Sequence, residues 1–167
     1  DNIAPNTDAT LCGLRSRHPP AESDRETCSD PTGFPAVQVM EAEVAAAIAS
    51  FPAGSSGGPD CLRPQHIPDM TSNLEYGAKL LTAITGLVNL LPNGSCPPSV
   101  AAVLFGGKLI ALQKKDGGVR PVAVGFTWRR LAAKCANKFA LSQLGDSLLP
   151  RQLGVGVSGG CEAAVHA

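Results

Sequence analysis

Lys114, Lys115 and Arg120 are the residues of this chain whose types and spacing could do chemistry. Clustered ammonium and guanidinium groups neutralise and orient anions, phosphates above all. The three flank Asp116, Gly117 and Gly118, a turn signal in which Gly supplies the positive φ of a hairpin loop. The segments on either side alternate as strands do. Ile110, Leu112 and Lys114 share one face of the first arm, and Arg120, Val122 and Val124 alternate likewise in the second. With Asp116 to Gly118 as the loop, Ile110 faces Val124, Leu112 faces Val122, and Lys114 faces Arg120. The ribbon then has an apolar base and a cationic tip. Two cations directly opposed cost about a few tenths of a kcal/mol or more. A polyphosphate or a nucleic-acid backbone removes that cost. The plainer role, solvated lysines that keep an edge strand from aggregating, fits the same residues. The surrounding sequence favours the anion.

The elements that must position this ribbon follow from periodicity. A helix is expected over 39–50, with Met40, Val44, Ile48 and Phe51 on one stripe, stopped by Pro52. A Gly- and Ser-dense loop, 51–60, closes on Pro59-Asp60. Pro64 can open a short helix, with Arg63 just ahead of it. A core helix is expected over 73–91, started by a Ser72–Glu75 capping box. Its apolar face is Leu80, Leu81, Ile84, Leu87, Val88 and Leu91. A helical turn over 99–104 leads into the ribbon. After it, Gly125 breaks the strand and Thr127 N-caps a helix to about Leu144. Leu131, Cys135 and Phe139, with Ala132, Ala136 and Ala140, form that helix's packing face. Arg130, Lys134 and Lys138 form a basic stripe beside it. A Gly-rich loop, 151–160, and a helix from Cys161 complete the chain. Residues 1–36, rich in Pro, Ser, Thr and charge, read as a disordered or loosely attached leader.

The 167 residues suit one domain, and their formal net charge is zero. That excludes a uniformly basic nucleic-acid binder but hides an asymmetry. Nine acidic residues precede Cys61, against three arginines; residues 108–151 hold nine Lys and Arg against Asp116 and Asp146. The second half therefore offers a locally basic surface to an anionic partner. The six cysteines form no CxxC pair and have no His at zinc spacing, so they read as free thiols. No secretory signal and no membrane-length apolar run occur, which points to an intracellular protein. The chain begins at Asp1 and stops at Ala167 inside an expected helix. Both ends read as cut, so a fragment is expected.

Three motifs compete. Gly154, Gly156 and Gly159 satisfy GxGxxG, but 148–150 is a poor strand and no βαβ unit or distal acid follows. GxSxG occurs around Ser56 and around Ser158. The first copy runs into Pro59, and only His166 follows the second, too close to act as its base. His18, His66 and His166 are scattered, and no paired carboxylates occur in the basic segment, so no metal site is expected.

SFPAGSSGGPDCLRPQHI (50–67), GGKLIALQKKDGGVRPVAVGFTWRRLAAK (106–134) and LLPRQLGVGVSGGCEAAVHA (148–167) together resemble the amino-terminal half of the reverse transcriptase domain of non-LTR (LINE-type) retrotransposons. The resemblance covers roughly 37–167. It implies an α+β, mostly helical fold with a β-hairpin: the fingers and start of the palm of a right-hand polymerase. It implies that Lys114 or Lys115, together with Arg120, contacts the triphosphate of a deoxynucleoside triphosphate, with Gln152 near its sugar. Arg63, Arg129, Arg130, Lys134 and Lys138 would follow the RNA template and DNA primer, giving affinity rather than sequence choice. The family's catalytic carboxylates and their Mg²⁺ ions fall beyond Ala167, in the missing remainder of the domain. No catalytic residue and no bound cofactor is therefore expected in this chain, which alone would be inactive. The rival is a non-catalytic residual or domesticated module that binds nucleic acid or an acidic protein through its basic face. Three positions depart from the family pattern. Cys61 stands where Gly is usual, Cys161 where a small residue is usual, and Ser158 where a basic residue is frequent. If position 61 needs positive φ, Cys there is strained by about 1 kcal/mol.

Overall fold

The computed structural model describes residues 2–18, 33, 35–148, 151–160, 162 and 165. Among them are six α-helices and one two-stranded antiparallel hairpin, an α+β arrangement. The helices are α1 (Asp8–Arg17), α2 (Glu41–Ala49), α3 (His66–Thr71), α4 (Gly77–Leu90), α5 (Pro98–Leu104) and α6 (Thr127–Leu148). The strands are β1 (Gly107–Gln113) and β2 (Val119–Gly125). Of the expected helix over 161–167 only 162 and 165 are described; Cys161 and His166 lie outside the described residues, as do 19–32 of the leader.

Helices α2, α4 and α6 meet in one core. Val44 and Ile48 of α2, Ile84 and Val88 of α4, and Leu131, Ala132 and Cys135 of α6 are buried together with Ile67 of α3. These are the stripes that periodicity assigns, and each buried Val, Leu or Ile contributes about 1.5–3 kcal/mol. Two positions depart from those stripes: Ala140 is exposed, and so is Met40. Met40 is the residue before α2, outside the helical phase, and it is 66 % exposed. Its N–H donates to Glu43 Oε2 at 3.0 Å, which supplies a missing cap. Two asparagines, Asn89 on α4 and Asn93 just past its end, add polar ties. Asn89 Oδ1 accepts from Val39 N at 2.8 Å, and its Nδ2 donates to Val39 O at 3.0 Å. Asn93 repeats the pattern on Val37. The extended chain before α2 is thus held as if by a neighbouring strand.

Helix starts differ from the expected caps. Ser72 Oγ donates backward to Asp69 O, and Asn73 Oδ1 instead accepts from the N–H groups of Glu75 and Tyr76. The amide serves as the better-placed acceptor, and α4 begins only at Gly77. A Cβ on Gly77 would lie 2.0 Å from Thr71 O, so the α3–α4 corner requires glycine. Thr127 is fully buried, and its hydroxyl donates to Leu62 O rather than capping α6. It fastens the 51–64 loop to the base of the ribbon.

The ribbon's register differs from the expected one by two residues. Ile110 pairs with Val122, Leu112 with Arg120 and Lys108 with Val124. Lys114 N donates to Gly118 O at 2.8 Å, and Gly117 N to Lys114 O at 3.1 Å. The loop is therefore Lys115, Asp116 and Gly117, with only Gly117 at positive φ (+80°). This is a type I turn closed by a left-handed glycine, and it suits a three-residue loop. A slip of two keeps every side chain on its face. Lys114 and Arg120 are still on one side, as diagonal rather than direct neighbours.

The leader is structured where it is described. Ala4 N donates to Ala111 O at 2.9 Å, and Gln113 N to Asn2 O at 2.8 Å, so residues 2–4 line the outer edge of β1. Thr7 caps α1, accepting from Thr10 N. Helix α1 rests on β2, with Gly13 beside Val119. The outer edge of a two-stranded ribbon offers unpaired backbone groups, and this low-complexity segment supplies partners for them. Composition alone does not reveal that.

Candidate anion-binding site

Lys114, Lys115, Asp116 and Arg120 line one open depression of about 320 Å³ at the tip of the ribbon. The strand parity of Lys114 and Arg120 and the protruding loop of Lys115 bring three cations together. Among the described lining residues Asp116 is the only carboxylate. Its Oδ1 accepts from Gly118 N at 3.0 Å, and its Oδ2 meets Lys114 Nζ at 3.2 Å. The Gly118 N–H first, and the Lys114 ammonium next, hold the Asp116 carboxyl below the usual carboxylate range. The carboxylate thus occupies the spot an anionic ligand's oxygen would take. Arg120 sits diagonally across, exposed.

The basic residues of α6 do not form one surface. Arg129 Nη1 donates to Phe105 O at 3.1 Å and Arg130 Nη1 to Ser56 O at 2.6 Å. Both line a crevice of about 380 Å³ with Ser56 and Val124, between the 51–60 loop and the ribbon base. Lys134 turns elsewhere, donating to Ser50 Oγ at 2.9 Å, and lines a different cleft with Lys138. Arg130 and Lys134 both lie over the Phe51 ring, at 5.4 and 4.9 Å from its centroid. Three of the four expected α6 cations therefore hold the 50–56 segment and the α5 end in place. Arg63 is exposed ahead of α3. Gln152 is exposed, and its side-chain oxygen accepts from Gly154 N at 2.8 Å, so it shapes its own loop.

The chain matches no protein-family model, no curated protein and no solved structure.

The glycines of the 51–60 loop have a steric reason. A Cβ on Gly57 would lie 2.6 Å from the Cys61 carbonyl carbon, and one on Gly58 would lie 2.7 Å from Gly125 O. The loop can therefore touch the ribbon base only through glycine. Gly125 likewise leaves room for the Arg129 guanidinium, which a Cβ there would meet at 2.0 Å. Gly57 and Gly58 belong to the spurious GxSxG match, and steric fit accounts for them. Asp60 Oδ1 accepts from Leu62 N across a turn whose middle residue, Cys61, has φ +60°. That left-handed conformation is the one the expected strain requires, and it costs a non-Gly residue about 1–2 kcal/mol. Cys61→Gly relieves it but loses more entropy on folding, so a net gain of about 0.5–1 kcal/mol is expected. Thermal denaturation would show it as a midpoint raised by a few degrees; a lower midpoint would mean the turn needs the cysteine side chain.

Among the described residues Cys12 and Cys61 are exposed, Cys96 is half-buried and Cys135 is buried. Burial first, then the Glu43 carboxylate, pushes the Cys135 thiol up, against a smaller pull from Lys138 and Lys134. A raised folded value means that the thiol's contribution to stability is fully present below the ordinary thiol range. It is lost as pH rises through that range toward the raised value. Iodoacetamide at neutral pH is expected to alkylate Cys12 and Cys61 within minutes and Cys135 only on unfolding. Mass spectrometry of the peptides checks both rates.

Among the described residues no group of three or more His, Cys, Asp or Glu could hold a metal ion. No described helix is long and apolar enough to cross a membrane.

Proposed function

We propose that this chain is the fingers and start of the palm of a retrotransposon reverse transcriptase, an RNA-directed DNA polymerase. In this reading the ribbon tip receives the triphosphate of an incoming deoxynucleotide. The observation that carries the reading is the convergence of Lys114, Lys115 and Arg120 on one depression, with a single carboxylate among its described lining residues. Transfer of a nucleotidyl group depends mainly on positioning and charge neutralisation, which preorganised cations supply. The RNA template and DNA primer would pass the crevice of Arg129 and Arg130, whose internal bonds hold their guanidinium planes ready. The described residues do not fit a Mg²⁺ site.

Asp116 then acts as an internal stand-in for phosphate that the ligand displaces. Asp116→Asn removes the competing charge and is expected to tighten triphosphate binding about three- to tenfold. Fluorescence anisotropy with a labelled deoxynucleoside triphosphate measures it; weaker binding by the variant would show that Asp116 positions Lys114 for the ligand.

The proposal as a whole is tested with a short RNA–DNA duplex. Binding is expected to weaken steeply with salt, as phosphate contacts do. A deoxynucleoside triphosphate is expected to bind without displacing the duplex. If it displaces the duplex no better than simple salt at equal ionic strength, and binds nowhere itself, the basic surface is a generic one.

A further inference from the structure

We propose that the cleft between α2 and α6, remote in sequence from the ribbon tip, binds a small organic carboxylate. Its head would lie between Lys134 and Lys138, and its apolar body on Val39, Ala46 and Ala47. The cleft encloses about 290 Å³, near the lower end for small-molecule sites. By area its lining is mostly apolar; the two lysines stand on the α6 side, and Glu43 and Ser50 on the α2 side. Lys134 and Lys138 are one helical turn apart, and like charges at that spacing repel.

Among the described lining residues Glu43 is the only carboxylate, and it is engaged, since Oε2 accepts from Met40 N at 3.0 Å. Two ammonium groups against one carboxylate leave the cleft one positive charge in excess. A monoanion removes that excess, and a carboxylate offers one oxygen to each ammonium. Lys134 is already held, by Ser50 Oγ at 2.9 Å and by the Phe51 ring at 4.9 Å. Little side-chain freedom is therefore lost when a ligand arrives. Cys135 at the cleft floor is 2 % exposed, and its thiol stays neutral at physiological pH, so it adds no competing negative charge.

The probe is octanoate, titrated into the ¹⁵N-labelled full chain, with octanol as the uncharged arm and inorganic phosphate as the head-only arm. Octanoate is expected to shift amides on α2 around Ala46 and on α6 around Lys138, with octanol and phosphate at least about fivefold weaker. Lys138→Gln is expected to weaken octanoate about fivefold. Ala46→Leu fills the cleft from an exposed helical position and is expected to abolish binding, while circular dichroism stays unchanged. Equal binding of octanol, shifts confined to other surfaces, or no octanoate binding by about 10 mM would each overturn the proposal. So would an undiminished affinity in Lys138→Gln, which does not depend on whether the Ala46 variant folds.

Discussion

Lys114→Glu combined with Arg120→Glu is expected to weaken triphosphate binding about a hundredfold. Each residue loses a charge-assisted hydrogen bond, and each new carboxylate repels the phosphates. Loss of either cation alone, as Lys114→Gln or Arg120→Gln, is expected to cost about tenfold. Lys115→Gln is expected to cost less, because Lys115 is in the loop itself and has no strand partner to fix it. Circular dichroism of the double variant is expected to be unchanged, since the Lys114 and Arg120 side chains lie outside the helical core. Isothermal titration at fixed ionic strength gives the constants. Equal affinity of the double variant and the parent would remove the ribbon tip from nucleotide binding.

Gly58→Ala is expected to have the largest effect on the fold's connection to the site. Its Cβ would lie 2.7 to 2.9 Å from Gly125 O, Phe126 Cα and Gly125 C, all of them backbone atoms that cannot swing aside. The 51–60 loop must then lift from the ribbon base. That loosens the Thr127–Leu62 and Arg130–Ser56 hydrogen bonds. Overpacking of this kind costs about 1–3 kcal/mol. The urea midpoint falls accordingly, and hydrogen exchange is expected to speed up over 51–64 before it does over α4. Gly86→Ala is the control of opposite sign. It is exposed in α4 with no heavy atom within 4 Å of the new Cβ, so helix propensity alone should stabilise by about 0.5–1 kcal/mol. A Gly58→Ala variant as stable as the parent would show that the loop is not docked.

The helical core was legible because Val44 and Ile48, Ile84 and Val88, and Leu131 and Cys135 each recur at one-turn spacing on a single face. The ribbon was legible as a ribbon, and its cationic face survives because parity survives a two-residue slip. Its register was not legible, since either Gly117 or Gly118 could have taken the left-handed position. Only the backbone bonds of Lys114 decide it. The caps at Thr127 and Asn73 turned on which acceptor was nearer in space, something a capping pattern does not carry. The division of the α6 cations between two clefts was hidden as well. Arg130 and Lys134 share a face over Phe51, and the rise of about 6 Å between them lets one reach Ser56 and the other Ser50. No pattern in the 1–36 segment signals that residues 2–4 line the edge of β1. The positive φ at Cys61 suits the tight turn after Pro59-Asp60, in which Asp60 Oδ1 accepts from Leu62 N.

The most direct test follows the backbone amides of residues 113–120 by ¹H–¹⁵N correlation while a deoxynucleoside triphosphate is added at constant ionic strength. Triphosphate binding at the ribbon tip predicts saturable shifts centred on Lys114, Gly118 and Arg120, with the corresponding monophosphate about tenfold weaker or more. It is contradicted if those amides stay still, or if sodium sulfate at matched ionic strength moves them as far.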